Sequence, residues 1–209
     1  MDKNKSYDVK IILLGEGKVG KTSLINVFFD KEFKDHLART EKAEKFFKTI
    51  ELDNTNLNVS MWDTNGLEEY RSITKGFIKD SDIIIFVFDI TRRETFLELS
   101  FWLNAVNEEI GKDEVIFGVA ANKVDLFTKS EVETTEAEEY AEQKINGLFC
   151  ETSAKDNPLG FKNFVNQLLE RLISNEKILQ QIEKRKGNRI TLDQKNTTKI
   201  KEKRKCCKK

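Results

Sequence analysis

The stretch "GEGKVGKTS", residues 15–23, most constrains what this chain can fold into. It matches G-x-x-x-x-G-K-[ST] and lies between the apolar run "VKIILLG" (9–15) and the helical pattern "KTSLINVFF" (21–29). A glycine-rich loop between a buried strand and a helix turns successive backbone N–H groups inward, where they hold phosphate oxygens. Gly15 and Gly20 let the backbone curl, and Gly17, Lys18, Val19 and Ser23 complete the loop. Lys21 reaches the terminal phosphates, and Thr22 offers a hydroxyl to Mg²⁺, a hard ion that prefers oxygen ligands. The helix N-terminus adds its partial positive charge. The plainer reading, a glycine-rich turn with an incidental lysine, leaves the flanking strand and helix unexplained.

Apolar runs and helical patterns continue to alternate. "FFKTIELD" (46–53) and "LNVSMWD" (57–63) read as strands around a turn and are expected to form an antiparallel edge. "DIIIFVFDI" (82–90) and "EVIFGVAANK" (114–123) have no polar alternation and read as fully buried strands, and "GLFCETSA" (147–154) as a sixth. "TRRETFLELSFWLNAVNEEI" (91–110) reads as one helix, with Thr91 and Glu94 as a capping box. "SEVETTEAEEYAEQ" (130–143) reads as an acidic, exposed helix. Pro158 opens a last helix, whose apolar residues Phe161, Phe164, Val165, Leu168, Leu169, Leu172 and Ile173 lie on one face. Strands alternating with helices predict an α/β domain: a P-loop NTPase fold with a six-stranded, mostly parallel sheet flanked by helices. Ligands bind such sheets beyond the carboxyl ends of the strands, where the motifs fall.

The charge total is uninformative until it is divided along the chain. The 36 basic and 36 acidic residues cancel, but residues 184–209 hold twelve Lys/Arg against two Asp/Glu, a net of +10, and leave the preceding 183 residues at −10. An acidic body with a basic tail suggests a tail that meets a negative surface, a membrane or a nucleic acid. Past Lys184 the periodicity ends, and the composition predicts a disordered linker. No run of eighteen apolar residues exists, and the N-terminus lacks the apolar stretch of a signal peptide. Three cysteines, two of them adjacent, make no disulfide framework, so the body is expected to be reduced and cytosolic.

The phosphate loop alone does not choose between ATP and GTP. "NKVD" (122–125), directly after a strand, chooses guanine. Asp125 can accept hydrogen bonds from guanine N1–H and its exocyclic amine, and adenine has neither donor there. A site built around such a carboxylate rejects the wrong base strongly. Asn122 can tie this loop to the phosphate loop, and the Lys123 stem can lie over the ring. In "ETSAK" (151–155), Ser153, Ala154 and Lys155 line the base end, with the Ala154 N–H offered to guanine O6, and Phe33 can pack on the base edge. Asp63 ends a strand facing the phosphate loop and can hold Mg²⁺ through water, or it simply caps the next segment. Thr40 can complete the metal shell, and the Gly66 N–H can bond the terminal phosphate.

Taken together these residues resemble the Ras superfamily of small GTPases over roughly residues 8 to 175, and within it the Rab family. "WDTNGLEEYRSIT" is similar to that family's WDTAGQE(R)(F/Y)R(T/S)IT, and "KTIELD", "ETSAK" and the paired terminal cysteines fit too. The resemblance implies an N-terminal extension (1–7), a GTP/GDP- and Mg²⁺-binding domain (8–175) and a hypervariable tail (176–209). It also implies two switch segments, near 33–45 and 64–80, that tighten around GTP and relax with GDP. Expected partners are effectors, an exchange factor, an activating protein, and a prenylation escort and GDI-type chaperone. The chain is expected to be a monomer on the cytoplasmic face of an intracellular membrane, acting in vesicle transport.

The sequence departs from that pattern at three places. Leu67 stands where the family has the glutamine that orients the attacking water, and leucine can neither donate nor accept a hydrogen bond. Intrinsic hydrolysis is therefore expected to be very slow. Leu67 also reads as local packing without kinetic meaning, or as a laboratory substitution. Asn65 replaces the family's alanine but is badly placed to substitute for glutamine, and Arg39 beside Thr40 is a weak candidate for an arginine supplied in cis. "EKAEKFF" replaces the apolar IGVDF that effectors read. Lys45 thus takes an aromatic position, while Trp62 and Phe77 remain at the other two. In the phosphate loop, Lys18 either adds charge near the phosphates or points to solvent. At the terminus, "CKK" suits a C-a-a-X signal poorly, whereas Cys206 and Cys207 resemble doubly geranylgeranylated Rab ends. Two lipid chains with a basic run satisfy the need for two anchoring signals. A pseudo-GTPase that holds nucleotide as a scaffold and never cycles remains the alternative. Asp125 and the absence of a lid motif argue against an ATPase or nucleotide kinase.

Overall fold

Two faces of one central sheet organise the chain. The computed structural model describes residues 5–35, 44–63, 76–110 and 114–186. The strands are β1 (Ser6–Leu14), β2 (Glu44–Leu52), β3 (Thr55–Asp63), β4 (Ile83–Asp89), β5 (Ile116–Asn122) and β6 (Leu148–Thr152). Their order is β2-β3-β1-β4-β5-β6, and every pairing is parallel except β2 with β3. This is the six-stranded, mostly parallel sheet that the sequence predicted, with its antiparallel edge. Asp53 and Asn54, both at positive φ (46° and 58°), form the two-residue turn between β2 and β3. That left-handed geometry suits the twist of a hairpin, and Asp and Asn tolerate it better than other non-glycine residues.

Strands β4 and β5 are buried at every position, which explains their unbroken apolar runs. One face of the sheet is covered by α1 (Lys21–Phe28), α5 (Pro158–Ile173) and a further helix, α6 (176–186). The other is covered by α2 (Arg93–Leu97), α3 (Leu99–Glu109) and α4 (Thr134–Tyr140), which widens into a π turn over Ala141–Ile145. Pro158 opens α5 as expected, and the Asn157 side chain accepts from the Gly160 N–H to cap it.

The single helix expected over 91–110 is two, divided at Glu98. The expected capping box at Thr91 and Glu94 does not form. The Thr91 hydroxyl donates to Asp89 Oδ1 at 2.7 Å, and α2 starts only at Arg93. Asp89, at the end of β4, accepts from both the Thr91 hydroxyl and the Thr91 N–H and so holds Thr91 in a turn ahead of the helix.

Helix α6 lies beyond residue 175, in the stretch read as tail. The Asn175 carboxamide accepts from the Ile178 N–H, and Ile178 and Ile182 are buried in the same core cluster as the apolar residues of α1 and α5. Arg185 then pairs with Asp82 and donates to the Asp80 carbonyl at 2.6 Å. Burial pushes the Asp82 carboxyl up, and the Arg185 charge and the Lys10 N–H oppose that rise. Residues 36–43, 64–75 and 187–209 lie outside the described set, so Arg39, Thr40, Asn65, Gly66, Leu67, Cys206 and Cys207 receive no structural account. Among the described residues no helix is long and apolar enough to cross a membrane.

If α6 is part of the folded body, removing a buried branched side chain from it has a core-like cost. Ile182→Ala is expected to destabilise the chain by about 2–4 kcal/mol in urea unfolding. A change within about 0.5 kcal/mol, as at a solvent-exposed position, would contradict the docking of this helix.

Candidate functional site

The site forms where β1, β3, β4, β5 and β6 end on the same side of the sheet. After β1 the chain must turn beneath β4, and a Cβ on Gly15 would lie 2.1 Å from the Val87 carbonyl oxygen. Gly20, at φ 98°, ends the loop, and a Cβ there would lie 2.3 Å from Asn122 Nδ2. Only glycine permits both approaches. Between them Gly17 is half-buried, Lys18 is exposed at φ 67°, and Val19 is fully buried.

Lys21 starts α1 and folds back over the loop, donating to the Gly15 and Glu16 carbonyls at 2.7 and 2.8 Å. Its ammonium is buried, and burial brings its pKa down to about 8 against the opposing pull of Asp63 and Glu16. A buried cation held by carbonyls at the mouth of a glycine-rich loop is a place where phosphate charge is welcome. The Thr22 hydroxyl, one residue on, donates to Asp63 Oδ2 at 2.7 Å. Thus a hydroxyl from α1 and a carboxylate from the end of β3 meet beside the phosphate loop. This oxygen-only pair fits a hard divalent cation such as Mg²⁺. Ser23 follows on α1 and is half-buried.

At the base end, the Asn122 side chain joins three segments. Its Nδ2 donates to the Val19 carbonyl at 2.8 Å, and its Oδ1 accepts from the Ala154 N–H at 3.4 Å. The tie expected between "NKVD" and the phosphate loop is present, and it extends to "SAK". Asp125 is aimed by Ser153, whose hydroxyl donates to Asp125 Oδ1 at 2.6 Å. The same hydroxyl oxygen accepts from the Lys155 and Asp156 N–H groups. Lys155 also faces Asp35 at 3.7 Å. Phe33 is half-buried and packs against the core.

The sequence did not reveal the support beneath Lys123. Lys123, held at φ 68°, extends its ammonium to Asp89 Oδ2 at 2.6 Å. Burial pushes the Asp89 carboxyl up, but hydrogen bonds from Lys123 and Thr91 outweigh this and leave it below the usual range. Arg92 approaches the same carboxylate at 3.4 Å and donates to the Gly17 carbonyl at 2.9 Å. Asp89 and Arg92 therefore brace the phosphate loop from the side of the base loop. A carboxylate ending an apolar strand was a visible signal for Asp89. Nothing in spacing or periodicity marks Arg92, whose partner is a backbone carbonyl 75 residues away.

Beside Asp63, at the β2–β3 edge of the same end of the sheet, Lys45, Trp62 and Phe77 come together. The Lys45 ammonium lies 4.9 Å from the Trp62 ring centroid, and the Trp62 and Phe77 rings are 5.4 Å apart.

If Arg92 and Asp89 hold the phosphate loop, loosening them frees the ligand of that loop. Arg92→Ala is expected to speed release of a fluorescent GDP analogue about tenfold, the equivalent of about 1.4 kcal/mol. Arg92→Lys should recover part of the loss. An unchanged release rate would mean that the Gly17 contact is incidental.

Comparison with known proteins supplies the family. The Ras family model matches residues 10–175. The Ras-related protein Rab-12 of Mus musculus and that of Homo sapiens are each 34% identical to this chain over 151 residues, covering 72% of it. The matched stretch spans 62% of the length of those relatives. Family match, six-stranded topology and the juxtaposed motifs agree, and the chain belongs to the Ras family, with its likeness to the Rab proteins.

Proposed function

We propose that this chain is a Rab-like guanine-nucleotide switch whose intrinsic GTP hydrolysis is impaired. The observation that carries the reading is that Asn122 joins the phosphate loop to the loops bearing Asp125 and Ala154. One nucleotide can then be held at both ends by a single rigid frame. Phosphates lie against the 15–23 loop and Lys21, while guanine donates to the Asp125 carboxylate that Ser153 orients. Thr22 and Thr40, with Asp63 through water, would hold Mg²⁺, which would neutralise phosphate charge. This chain's own residues bind, orient and discriminate.

Leu67 places hydrolysis in the hands of a partner, since an activating protein can bring both an arginine and a glutamine. Lys45, Trp62 and Phe77 are the effector-reading residues of this proposal, and Cys206 and Cys207 are its lipid attachment sites. The GTP-loaded form would sit on an intracellular membrane through that tail. Exchange factor, escort and GDI-type chaperone complete its set of partners. Under the scaffold alternative the same nucleotide is held but never cycled.

Single-turnover hydrolysis tests the proposal. The purified chain is loaded with GTP and Mg²⁺, and conversion to GDP is followed by chromatography beside Leu67→Gln. The native chain is expected to be near-inert and the glutamine variant faster by about 10-fold or more, a loss of roughly 1.4 kcal/mol or more in barrier height. Equal rates would show that another group positions the water. A native chain that no activating protein can stimulate would favour the scaffold.

A further inference from the structure

Residue Lys45 stands on the edge strand β2, where it is exposed among the described residues. Cross-strand register places Lys45 of β2 opposite Trp62 of β3, which faces Ile12 of β1, and the next row on this face holds Phe47, Ser60 and Lys10. The Lys45 ammonium lies between two rings, 4.5 Å from the Phe47 centroid and 4.9 Å from that of Trp62. Lys10 approaches the same Trp62 ring at 5.6 Å. Phe47 is 68% exposed, among the largest apolar exposures in the described chain.

Two cations therefore share one aromatic strip, but they are not equivalent. Lys10 donates to the Lys79 carbonyl at 2.6 Å, has Asp80 and Asp82 beside it, and is brought down to about 8 mainly by burial. Lys48 and Lys162 pair with Asp30, and Lys123 pairs with Asp89. Lys45 has no carboxylate among the described residues. Its neighbour Glu44 alternates to the other face of the strand, and Glu51, on the same face, is six residues away, about 20 Å along an extended strand. On β1 the nearest same-face carboxylate, Asp8, accepts from Asn58, two rows from Lys45.

An ammonium held over aromatic rings keeps its charge available for a further partner. A carboxylate arriving there gains a charge-assisted hydrogen bond without stranding another group, whereas an approaching cation meets both Lys45 and Lys10. We propose that the effector of this chain presents an Asp or Glu side chain to Lys45, flanked by an apolar side chain that packs on Phe47 and Trp62. The inference rests on the switch reading above and assigns the chemistry of its partner. Lys45 is the specificity-determining residue, since it replaces an aromatic contact with a charged one.

A displayed library of random dodecapeptides tests this. Selection is run on the full chain loaded with a non-hydrolysable GTP analogue, and the enriched peptides are then measured against native, Lys45→Ala and Lys45→Glu proteins. Retention of a fluorescent guanine nucleotide is measured in all three. Enrichment of Asp or Glu within a few residues of Leu, Phe or Trp is expected, with binding severalfold weaker on Lys45→Ala and about tenfold or more weaker on Lys45→Glu, while nucleotide retention is unchanged. Peptides without carboxylates, equal binding to Lys45→Glu, or no enrichment on a nucleotide-loaded chain would each overturn the inference and leave the switch reading standing. Failure of the native chain to retain guanine nucleotide would remove the switch reading, and this inference with it.

Discussion

The carboxamide of Asn122 is the contact on which the rest of the site depends. It is buried at the end of β5, gives its N–H to the phosphate loop at Val19 and takes the Ala154 N–H from the loop after β6. Without it, three loops on three strands would be positioned only by their own turns. Gly20 is glycine partly because this carboxamide occupies the space that a Cβ would need. A buried amide with both ends satisfied is costly to replace, because any shorter side chain leaves the Val19 carbonyl and the Ala154 N–H without partners. The geometry at both ends of a nucleotide is thereby fixed to one frame.

Second to that contact is the Asp89 carboxylate, a small electrostatic hub. It gathers Lys123, Arg92 and the Thr91 hydroxyl, and Arg92 carries the connection on to Gly17. Asp89 thus links the base loop to the phosphate loop by charge where Asn122 links them by amide hydrogen bonds. The same carboxylate explains why α2 begins later than its sequence suggests. A local capping signal lost to an equally local one, the Asp89 carboxylate two residues upstream that takes both the Thr91 hydroxyl and its N–H.

Most of the framework was legible in the sequence because it rests on short-range regularities. Unbroken apolar runs marked β4 and β5, a turn between two strand-like segments marked the β2–β3 edge, and Pro158 marked the start of α5. The phosphate loop and "NKVD" were legible because backbone geometry and base chemistry restrict which residues serve there. What escaped depends on distance in the chain. Arg92 bonds a carbonyl, which any residue supplies, so its partner left no trace in composition. Helix α6 was hidden by its own charge: Lys184, Arg185 and Lys186 read as solvated tail, and Ile178 and Ile182, with Leu179 beside them, mark its buried side. At Lys45 the sequence showed a lost aromatic, and the structure adds that the new ammonium stands between Trp62, one of the two rings that remain, and Phe47.

The most direct test of the account is the choice of base. Displacement of a fluorescent GDP analogue by GTP, ATP and XTP should be measured on the native chain and on Asp125→Asn. The native chain is expected to prefer GTP over ATP by about 10³-fold or more, the discrimination of a site built to hydrogen-bond one base. Asp125→Asn should lose GTP and gain XTP, because xanthine offers a carbonyl where guanine offers an amine. ATP competing as well as GTP, or an Asp125→Asn variant unchanged toward GTP, would contradict the frame of Asn122, Asp125 and the phosphate loop as a guanine-nucleotide site.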